Sequence, residues 1–382
     1  MTISPDLRAR EFAALDAAGI YLNSASIGPM PRRALDVLHA ANADRAAPID
    51  WPMSRLDGIL GGARERAARL VGTDPATIAL MPNTTTGINV AAQALGLGRG
   101  DVVLTFDREF PTNVYPWLAL AHHRGVVLER IPPTAEGWPD EEALHARLAD
   151  PAVRAVSVSL TQFSTGYTID LDRLSRATRA RGVFLVVDAI QALGQVPVDL
   201  ARTPVDFLAC GAQKWLLSPW GTGFLHVRRE LIEATYPTIA GWASFRGTDD
   251  YSRLTAYDPE PWPDARRFEV ITLALQDFAA MNAALDLLLE VGVAAIASHV
   301  REISAPLHDW AARGAGTITS PTDARGSAIT CVRPPGDVAA AYQALLAAGV
   351  TCSLREGSIR LSPHVCNTAD EVARVVALLE RG

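Results

Sequence analysis

Between about residues 65 and 230 the sequence alternates short apolar runs with longer amphipathic stretches. This alternation is typical of strands joined by crossover helices, so it predicts an α/β fold with one large, mainly parallel sheet. Seven strands are predicted, at residues 78–81, 101–106, 126–131, 155–160, 184–188, 207–210 and 223–227. Amphipathic helices are predicted between them, at residues 87–95, 116–123, 140–149 and 172–181.

The length of the chain and the pattern of its last third predict a second domain. Single cores stop growing near about 250 to 300 residues, and this chain has 382. An irregular segment rich in Gly, Pro and Asp at 241–263 precedes a long helix rich in Ala and Leu. The order strand, helix, strand, strand, helix follows, and it predicts a small α+β domain. We therefore expect an N-terminal segment over 1–30, a large domain over 31–270 and a small domain over 271–382, which the long helix enters.

Composition and charge exclude several classes of protein. Hydrophobic residues make up 49% of the chain and charged residues 20%, which is typical of a globular protein with a sizeable core. The net charge of −7 and the lack of a basic block argue against a nucleic-acid partner. No uncharged apolar run is long enough to predict a membrane span. The N-terminus lacks the basic and apolar regions of a secretory signal, so the protein is expected in the cytoplasm.

The four cysteines, Cys210, Cys331, Cys352 and Cys366, show neither a C-x-x-C pair nor the spacing of metal ligands. Four cysteines in so long a chain are not a disulfide framework. We therefore predict reduced, mostly buried thiols and no metal site.

Lys214 is the only lysine among the 35 basic residues. A chain that uses arginine for its surface charges and ion pairs retains a lysine where arginine fails. An arginine stays protonated, whereas a desolvated lysine can lose its proton and attack a carbonyl group. Lys214 is therefore predicted to form a Schiff base. The alternative is the chance survival of one surface lysine.

Polar residues at the ends of predicted strands add to this prediction. Lys214 follows the strand at 207–210, and the crevice at the carboxyl ends of parallel strands is where such sheets bind ligands. Asp188 ends an apolar strand, so its carboxylate either caps the next turn or pairs with a buried cation. Gln191 lies three residues further on and can offer its amide to the same ligand.

The segment Asn-Thr-Thr-Thr-Gly at 83–87 follows another predicted strand and opens a helix. Hydroxyl and N–H groups at the positive end of a helix suit an anion, although ordinary N-capping also explains them. Taken together, Lys214 suits an aldehyde, Asp188 a protonated ring nitrogen and the threonine cluster a phosphate. Pyridoxal 5′-phosphate (PLP) carries all three groups, so PLP is the predicted cofactor.

The same residues belong to motifs by which the sequence resembles the class V aminotransferase group of fold-type I PLP enzymes. This group includes cysteine desulfurases and isopenicillin N epimerase, and the likeness covers nearly the whole chain. The matching motifs are YLNSA at 21–25, NTTTGIN at 83–89, DAIQ at 188–191, QKW at 213–215, RFE at 267–269 and RLSPH at 360–364. The resemblance implies that 31–270 is the PLP-binding domain and that 1–30 lies near the active site.

The resemblance also assigns contacts to the cofactor. It implies that Lys214 forms the Schiff base, that Asp188 pairs with the ring nitrogen and that Gln191 reaches the phenolic oxygen of the ring. It further implies that Thr84 and Thr85 hold the phosphate.

Other expected contacts differ from the group in detail. Phe110 falls where the group stacks a side chain on the cofactor ring; desulfurases have His there, and Phe can stack but cannot transfer protons. Gln213 replaces a frequent His, and Gly211 stands where desulfurases have a phosphate-binding Ser. The resemblance places Gln162 near the cofactor. It implies that Thr272 reaches the phosphate of the neighbouring subunit, and therefore a homodimer with shared active sites.

Substrate binding is assigned by the resemblance to Arg360, with Asn23 and Arg355. A planar guanidinium suits an α-carboxylate because it donates two parallel hydrogen bonds. In desulfurases a loop with the persulfide-forming cysteine follows the arginine that matches Arg355, but here only four residues separate Arg355 from Arg360. Cys352 and Cys366 flank this region, and neither is expected to accept sulfur.

These observations predict a PLP-dependent enzyme that acts on an α-amino acid or a related amine, with transamination as the leading reaction. A carbon–sulfur lyase or an epimerase is the alternative with the same cofactor. A non-catalytic protein that binds small molecules on the same scaffold is the alternative of another class. Five aromatic residues are candidates either for the lining of a roomy substrate pocket or for the core: Tyr21, Trp51, Trp220, Trp242 and Phe245.

Overall fold

The structure is a computed structural model that describes residues 5–46 and 53–381. Trp51, a candidate pocket residue, lies outside the described residues. Ahead of the central sheet, the described part of the chain forms α1 (Pro5–Glu11), α2 (Leu15–Ala18), β1 (Ile20–Tyr21), α3 (Arg32–Ala46) and α4 (Met53–Val71).

A seven-stranded sheet forms the centre of the fold, which confirms the predicted α/β class. Its strands are β2 (Ile78–Leu80), β3 (Val102–Phe106), β4 (Val127–Ile131), β5 (Val153–Ser159), β6 (Phe184–Asp188), β7 (Phe207–Gly211) and β8 (Gly223–Val227). They lie in the order β2-β8-β7-β6-β5-β3-β4, and β8 is the one strand of the seven that runs in the opposite direction to the others. All seven predicted strands are present, and their ends differ from the prediction by at most two residues.

Both faces of the sheet are covered, which explains why its strands are continuous apolar runs. Val186 and Val187 are adjacent in β6, yet they belong to two separate apolar clusters, one on each face. The helices that connect these strands are α5 (Thr84–Ala94), α6 (Tyr115–Arg124), α7 (Glu141–Arg147) and α8 (Leu171–Arg179). α5 begins three residues before its predicted start because the side-chain oxygen of Asn83 accepts the N–H of Thr86 at 2.9 Å and caps the helix.

The C-terminal part contains the predicted small sheet and its helices. It is preceded by α9 (Arg229–Ala234). Its elements are α10 (Leu275–Val291), α11 (Val293–Ile303), α12 (Ala305–Ala312), β9 (Thr317–Ile318), β10 (Thr330–Arg333), α13 (Val338–Ala347), β11 (Val350–Thr351), β12 (Ser353–Arg355), β13 (Ser358–Leu361) and α14 (Ala369–Leu379). Four strands form an antiparallel sheet in the order β12-β13-β10-β9. The segment 241–263 is irregular, as predicted, with short 3₁₀ turns.

The prediction of a single strand at 351–354 is wrong, because this segment contributes to two strands with different partners. β11 pairs in parallel with β1 from the N-terminal segment, whereas β12 pairs with β13. Cys352 lies at the change of partner. The N-terminal segment is thereby attached to the small sheet, and this attachment brings residues 23–26 to the edge of the site described below.

The long helix α10 packs against α3 and α4. Arg66 on α4 forms an ion pair with Asp286 on α10 at 2.8 Å, and Asn282 on α10 donates to the carbonyl of Ile59 at 2.9 Å. The division into 1–30, 31–270 and 271–382 stays a prediction. In the described part of the chain, no single helix is long and apolar enough to cross a membrane; the pair Leu275–Val291 and Val293–Ala312 reaches the length together but is bent by 74°.

Candidate active site

A cavity of about 310 Å³ lies at the carboxyl ends of β6 and β7. Nine of the twelve predicted site residues line it: Thr84, Thr85, Phe110, Asp188, Gln191, Gln213, Lys214, Arg355 and Arg360. Residues far apart in the sequence therefore meet in one pocket at the edge where parallel sheets bind ligands. Larger cavities occur elsewhere in the described residues, but the two of about 560 and 430 Å³ contain neither the lysine nor the aspartate.

Lys214 enters the pocket from the turn after β7 and is partly buried. Burial disfavours its ammonium form and lowers the pKa of Lys214 to about 8; the charge of Asp188 opposes this lowering, and that of Arg360 adds to it. An amine with this pKa is partly unprotonated near neutral pH, which is the state that attacks an aldehyde. The environment of Lys214 therefore favours Schiff-base chemistry.

Asp188 ends β6 and is almost completely buried. Burial raises the pKa of Asp188 to about 7, although the N–H of Ile190 and the charge of Lys214 both favour its ionised form. The backbone N–H of Ile190 donates to Oδ1 at 2.9 Å. A carboxyl group with this balance of forces suits a partner that brings its own proton, such as a pyridinium nitrogen.

Gln191 is held at the pocket wall by both ends of its amide. Its Nε2 donates to the carbonyl of Ala25 at 2.9 Å, and its Oε1 accepts the indole N–H of Trp215 at 2.8 Å. These bonds fix the amide and leave one N–H of Nε2 for another acceptor. Gln191 also links the N-terminal segment to the turn that carries Lys214.

The first turn of α5 lies at one end of the pocket, where it could hold an anion. Asn83 caps the helix, so the side chain of Thr86 and its N–H are already engaged. Thr84 Oγ1 accepts the N–H of Gly211 at 2.8 Å, and Thr85 Oγ1 lies 2.8 Å from the hydroxyl of Thr112. Each hydroxyl bonds a neighbour that fixes its position, while the positive end of an eleven-residue helix favours a phosphate.

Gly211 and Gln213 complete this end of the pocket. A Cβ at position 211 would lie 2.6 Å from Gln213 Oε1 and 3.3 Å from Thr84 Oγ1, so a larger residue there would require the side chain of Gln213 to move. Oε1 of Gln213 is buried and has no hydrogen-bond partner in the described structure. Turning the amide over would present an N–H donor at the same place, which fits an anion that the protein alone does not supply.

Phe110 forms one wall of the pocket, and the residue is 40% exposed. It meets Phe163 edge to face, with the ring centres 5.4 Å apart. An aromatic side chain in the pocket wall can stack on a planar ring, which suits the predicted cofactor.

Arg360 is buried in the pocket wall, and no described residue forms an ion pair with it. It is 2% exposed, and its terminal nitrogens donate to the carbonyl of Phe163 at 2.8 Å and to Oγ of Ser26 at 2.7 Å. Burial lowers the pKa of Arg360 to about 10, and the charge of Arg355 adds to this effect. Its Nε is buried with no acceptor among the described residues.

A second buried arginine, Arg267, provides a contrast. Its guanidinium donates to the backbone carbonyls of Trp262 at 2.7 Å, of Thr235 at 2.8 Å and of Ile232. Arg267 is thereby engaged in holding backbone, whereas Arg360 keeps an unused donor beside a cavity. Arg360 is therefore the arginine that suits an incoming carboxylate.

Arg355 lies at the exposed end of a tight hairpin near the pocket entrance. Arg355 pairs with Ser358 across the two-residue turn Glu356-Gly357, and both turn residues have positive φ. This turn confirms that the segment is too short for a cysteine loop. All four cysteines are buried.

The three remaining predicted residues do not line the pocket. Asn23 accepts the hydroxyl of Ser353 at 2.7 Å, and Gln162 is buried and donates to Glu109 at 2.8 Å. Thr272 is exposed and lies outside the pocket of its own chain.

The candidate aromatic residues separate into different surroundings. Trp220 lines the pocket and is 65% exposed. Trp242 and Phe245 line the separate cavity of about 430 Å³, and the hydroxyl of Tyr21 donates to the carbonyl of Ile27 at 2.7 Å.

Sequence reasoning missed Ser26, which positions Arg360, and a buried polar cluster beneath Asp188. The cluster consists of Glu109, Asn113 and Ser159. The available signal was the position of Ser159 at the end of a predicted strand, beside the strand that ends in Asp188.

The sequence and the fold of the chain are similar to those of known proteins. A family model described as Aminotransferase class-V matches residues 20–375. The chain is 32% identical to the isopenicillin N epimerase of Amycolatopsis lactamdurans, over 97% of each chain. It is 30% identical to the uncharacterized aminotransferase YcbU of Bacillus subtilis, over 82% of this chain and 81% of the other.

Among solved structures, the fold is similar to the cystine C–S lyase C-DES in a lysine-substituted form with glycine covalently linked to its PLP cofactor. The TM-score is 0.88 at 23% sequence identity, and the match covers 99% of each chain. This likeness shows that the two proteins share a fold.

Proposed function

The chain belongs to the class-V aminotransferase family, and we propose that it is a PLP-dependent enzyme that transaminates α-amino acids. The observation that carries this proposal is the meeting of Lys214, Asp188 and Arg360 in one cavity. PLP is the cofactor of this family, and when bound it accepts the charge left at Cα of the substrate.

The pocket fits this cofactor on both ends. Thr84 and Thr85 at the start of α5, with the unpartnered amide of Gln213, form a place for the phosphate. Asp188 would hold the proton of the ring nitrogen, and Phe110 would support the ring face. Thr272 and Gln162 do not line the pocket of their own chain and are not among these proposed cofactor contacts.

Arg360 supplies the selectivity for an amino acid. A substrate carboxylate would accept the hydrogen bond that Nε of Arg360 lacks. The hydrogen bond from Arg360 to Oγ of Ser26 holds the guanidinium in place. An α-carboxylate bound there fixes the orientation of Cα relative to the cofactor, and orientation decides which bond of Cα breaks. The open end of the pocket, near Trp220 and Arg355, is left for the substrate side chain.

Lys214 is the proton carrier. Lys214 would hold the aldehyde of PLP, and its amine, when free, would take the proton from Cα of the substrate and pass it on, which is the proton transfer that transamination requires. Phe110 and Phe163 also line the pocket, and their side chains cannot exchange protons. Among the described lining residues, Lys214 is the amine that can carry this proton, which supports transamination.

The test is a panel of α-amino acids incubated with the PLP-loaded protein and a 2-keto acid acceptor. We expect formation of the matching 2-keto acid, together with loss of the Cα hydrogen to solvent in the substrate that reacts. Chiral chromatography and sulfide detection on the same samples separate the alternatives. Exchange of Cα hydrogen without any keto acid would contradict transamination.

Epimerisation at Cα is the second candidate, because the similarity to isopenicillin N epimerase extends over 97% of both chains. It predicts accumulation of the opposite enantiomer with no keto acid. Cleavage of a carbon–sulfur bond is the reaction of C-DES, whose fold is shared, and it predicts sulfide or persulfide together with pyruvate from cysteine or cystine. Absence of Cα exchange with every amino acid would favour a binding protein without turnover.

We also propose that the active form is a homodimer in which Thr272 reaches the phosphate of the other subunit. Support comes from the exposure of Thr272 and from exposed apolar residues in the same part of the chain: Tyr251, Leu254, Tyr257 and Ile271. Light scattering should give twice the mass of one chain. Thr272→Val should weaken PLP binding without dissociating the dimer; a monomer with full PLP affinity would contradict the proposal.

A further inference from the structure

Glu109 is a buried carboxylate behind Asp188, and none of the roles described above uses it. It is 7% exposed and lies between β3 and α6. Its Oε1 accepts the N–H of Ser159 and Nε2 of Gln162, each at 2.8 Å. Its Oε2 accepts the hydroxyl of Ser159 at 2.6 Å and Nδ2 of Asn113 at 3.1 Å. All four donors are neutral, so dipoles rather than a cation stabilise the buried charge.

Two of these donors connect Glu109 to Asp188. Ser159 ends β5 directly beside Asp188 at the end of β6. Nδ2 of Asn113 lies 3.0 Å from Oγ of Ser159 and 3.5 Å from Oδ2 of Asp188. Because Oδ1 of Asp188 is engaged by the N–H of Ile190, Oδ2 is the oxygen left for the ring nitrogen.

The charges around Asp188 act in opposite directions. Lys214 favours the ionised form of Asp188, whereas Glu109 disfavours it, and the thiol of Cys210 is the other titratable group close by. Burial also raises the pKa of Glu109, against the hydrogen bonds from Ser159, Asn113 and Gln162. Two carboxyl groups linked by a single amide therefore favour retention of a proton at this end of the pocket.

We propose that Glu109 is a positioning residue that acts through Asn113 and Asp188 on the ring nitrogen of the cofactor. Its Oε2 holds Asn113 with Nδ2 turned toward Asp188, and its charge strengthens the hold of Asp188 and the ring nitrogen on their shared proton. A protonated ring nitrogen is the form that best accepts charge from the substrate. The inference rests on the proposed function only for the cofactor, not for the reaction.

Glu109→Gln is the variant that separates charge from shape. It keeps the volume of the side chain, but its amide cannot accept hydrogen bonds from all four donors. Oδ1 of Asn113 is buried without a partner, so the Asn113 amide can reverse to accept from the new Gln. That reversal would turn an oxygen toward Oδ2 of Asp188 and weaken the arrangement further.

The experiment is NMR of the holoenzyme loaded with PLP labelled with ¹⁵N in its ring, recorded as a function of pH. The ¹⁵N shift reports protonation of the ring nitrogen without any turnover. We expect wild type to stay protonated between pH 6 and 9 and Glu109→Gln to lose the proton at a pH lower by about one unit or more, since a negative charge is removed. Glu109→Asp keeps the charge and should titrate close to wild type.

Glu141→Gln is the matched control. Glu141 is also a buried carboxylate, and it accepts the hydroxyl of Tyr167 at 2.8 Å and the N–H of Asp170 at 2.9 Å, outside the pocket. We expect it to lower the melting temperature and leave the ¹⁵N titration unchanged. The inference would be overturned if Glu109→Gln likewise lowered the melting temperature and left the ¹⁵N titration unchanged, because Glu109 would then have only a structural role.

A second variant covers the case in which Glu109→Gln does not fold. Ser159→Ala removes the donor at 2.6 Å and so favours the neutral form of Glu109. The ring nitrogen should then lose its proton at a lower pH than in wild type, by a smaller amount than with Glu109→Gln. An unchanged titration in a folded Ser159→Ala protein would contradict the inference. None of these readouts depends on which amino acid is converted, so a failure of transamination would leave this test valid.

Discussion

The amino group of Lys214 lies 5.5 Å from the centre of the Phe110 ring. An amine and a hydrocarbon ring therefore face each other across the pocket. Their distance places the group that attacks the aldehyde beside the wall that supports the cofactor ring. The two residues come from segments about a hundred positions apart, and the sheet brings them together because each follows the carboxyl end of a strand.

Lys214→Ala should abolish covalent attachment of PLP. No other lysine exists in the chain to replace it, and an arginine in its place would stay protonated. Borohydride treatment followed by mass spectrometry should fix PLP to wild type and not to Lys214→Ala or Lys214→Arg. Circular dichroism should show an unchanged fold in both variants. A reducible adduct in either one would contradict the assignment of Lys214.

Capture of PLP by the cofactor-free protein should accelerate as pH rises through about 8. Burial lowers the pKa of Lys214 to about 8, so the amine is mainly protonated below that pH and mainly free above it. Stopped-flow absorbance measures the rate. Asp188→Asn removes the negative charge that raises the pKa of Lys214, and it should therefore move the midpoint to lower pH. A midpoint near 10, as for an exposed lysine, would show that Lys214 is not desolvated.

Arg360→Gln should raise KM for the amino acid by about 10- to 100-fold, since a hydrogen bond to a charged group contributes roughly 1.5–3 kcal/mol. The affinity for PLP should change little, because Arg360 is assigned to the substrate. Arg267→Gln is the control: Arg267 holds backbone carbonyls, so its loss should lower the melting temperature and leave KM unchanged. Equal effects of the two variants on KM would remove the distinction between these buried arginines.

Much of the fold follows from local patterns in the sequence. The strands of the central sheet are short apolar runs buried on both faces, and such runs are visible without tertiary information. β9 was missed because Thr317–Ile318 is only two residues long and pairs only through tertiary contact with β10. The double partnership of 351–354 was missed for the same reason, since β1 lies more than 300 residues earlier.

The site was predictable where a residue type is rare and less so where it is common. Lys214 is unique in the chain. Glu109, in contrast, follows Asp107 and Arg108, and three consecutive charged residues indicate a solvated loop. Its burial depends on donors from Ser159 and other residues about 50 positions away, which no local pattern predicts. Arg360 and Arg267 likewise become distinguishable only through their partners.

In the native state, the thiols of this protein should neither react with thiol reagents nor accept a sulfur atom from a substrate. Cys210, Cys331, Cys352 and Cys366 are all buried, and burial raises the pKa of Cys331 to about 11 and that of Cys352 to about 12. The thiolate is the reactive form, so a disulfide reagent such as DTNB should label less than one thiol per native chain.

In denaturant the same reagent should label all four thiols. Incubation of the PLP-loaded protein with cysteine should leave the mass of the intact chain unchanged, because the turn at Glu356 and Gly357 leaves no room for a cysteine loop that would accept sulfur. A cysteine desulfurase used in parallel is the positive control, since its loop cysteine gains the mass of sulfur. A gain of 32 Da, roughly one sulfur atom, on a native cysteine would show instead that a buried thiol becomes accessible during turnover.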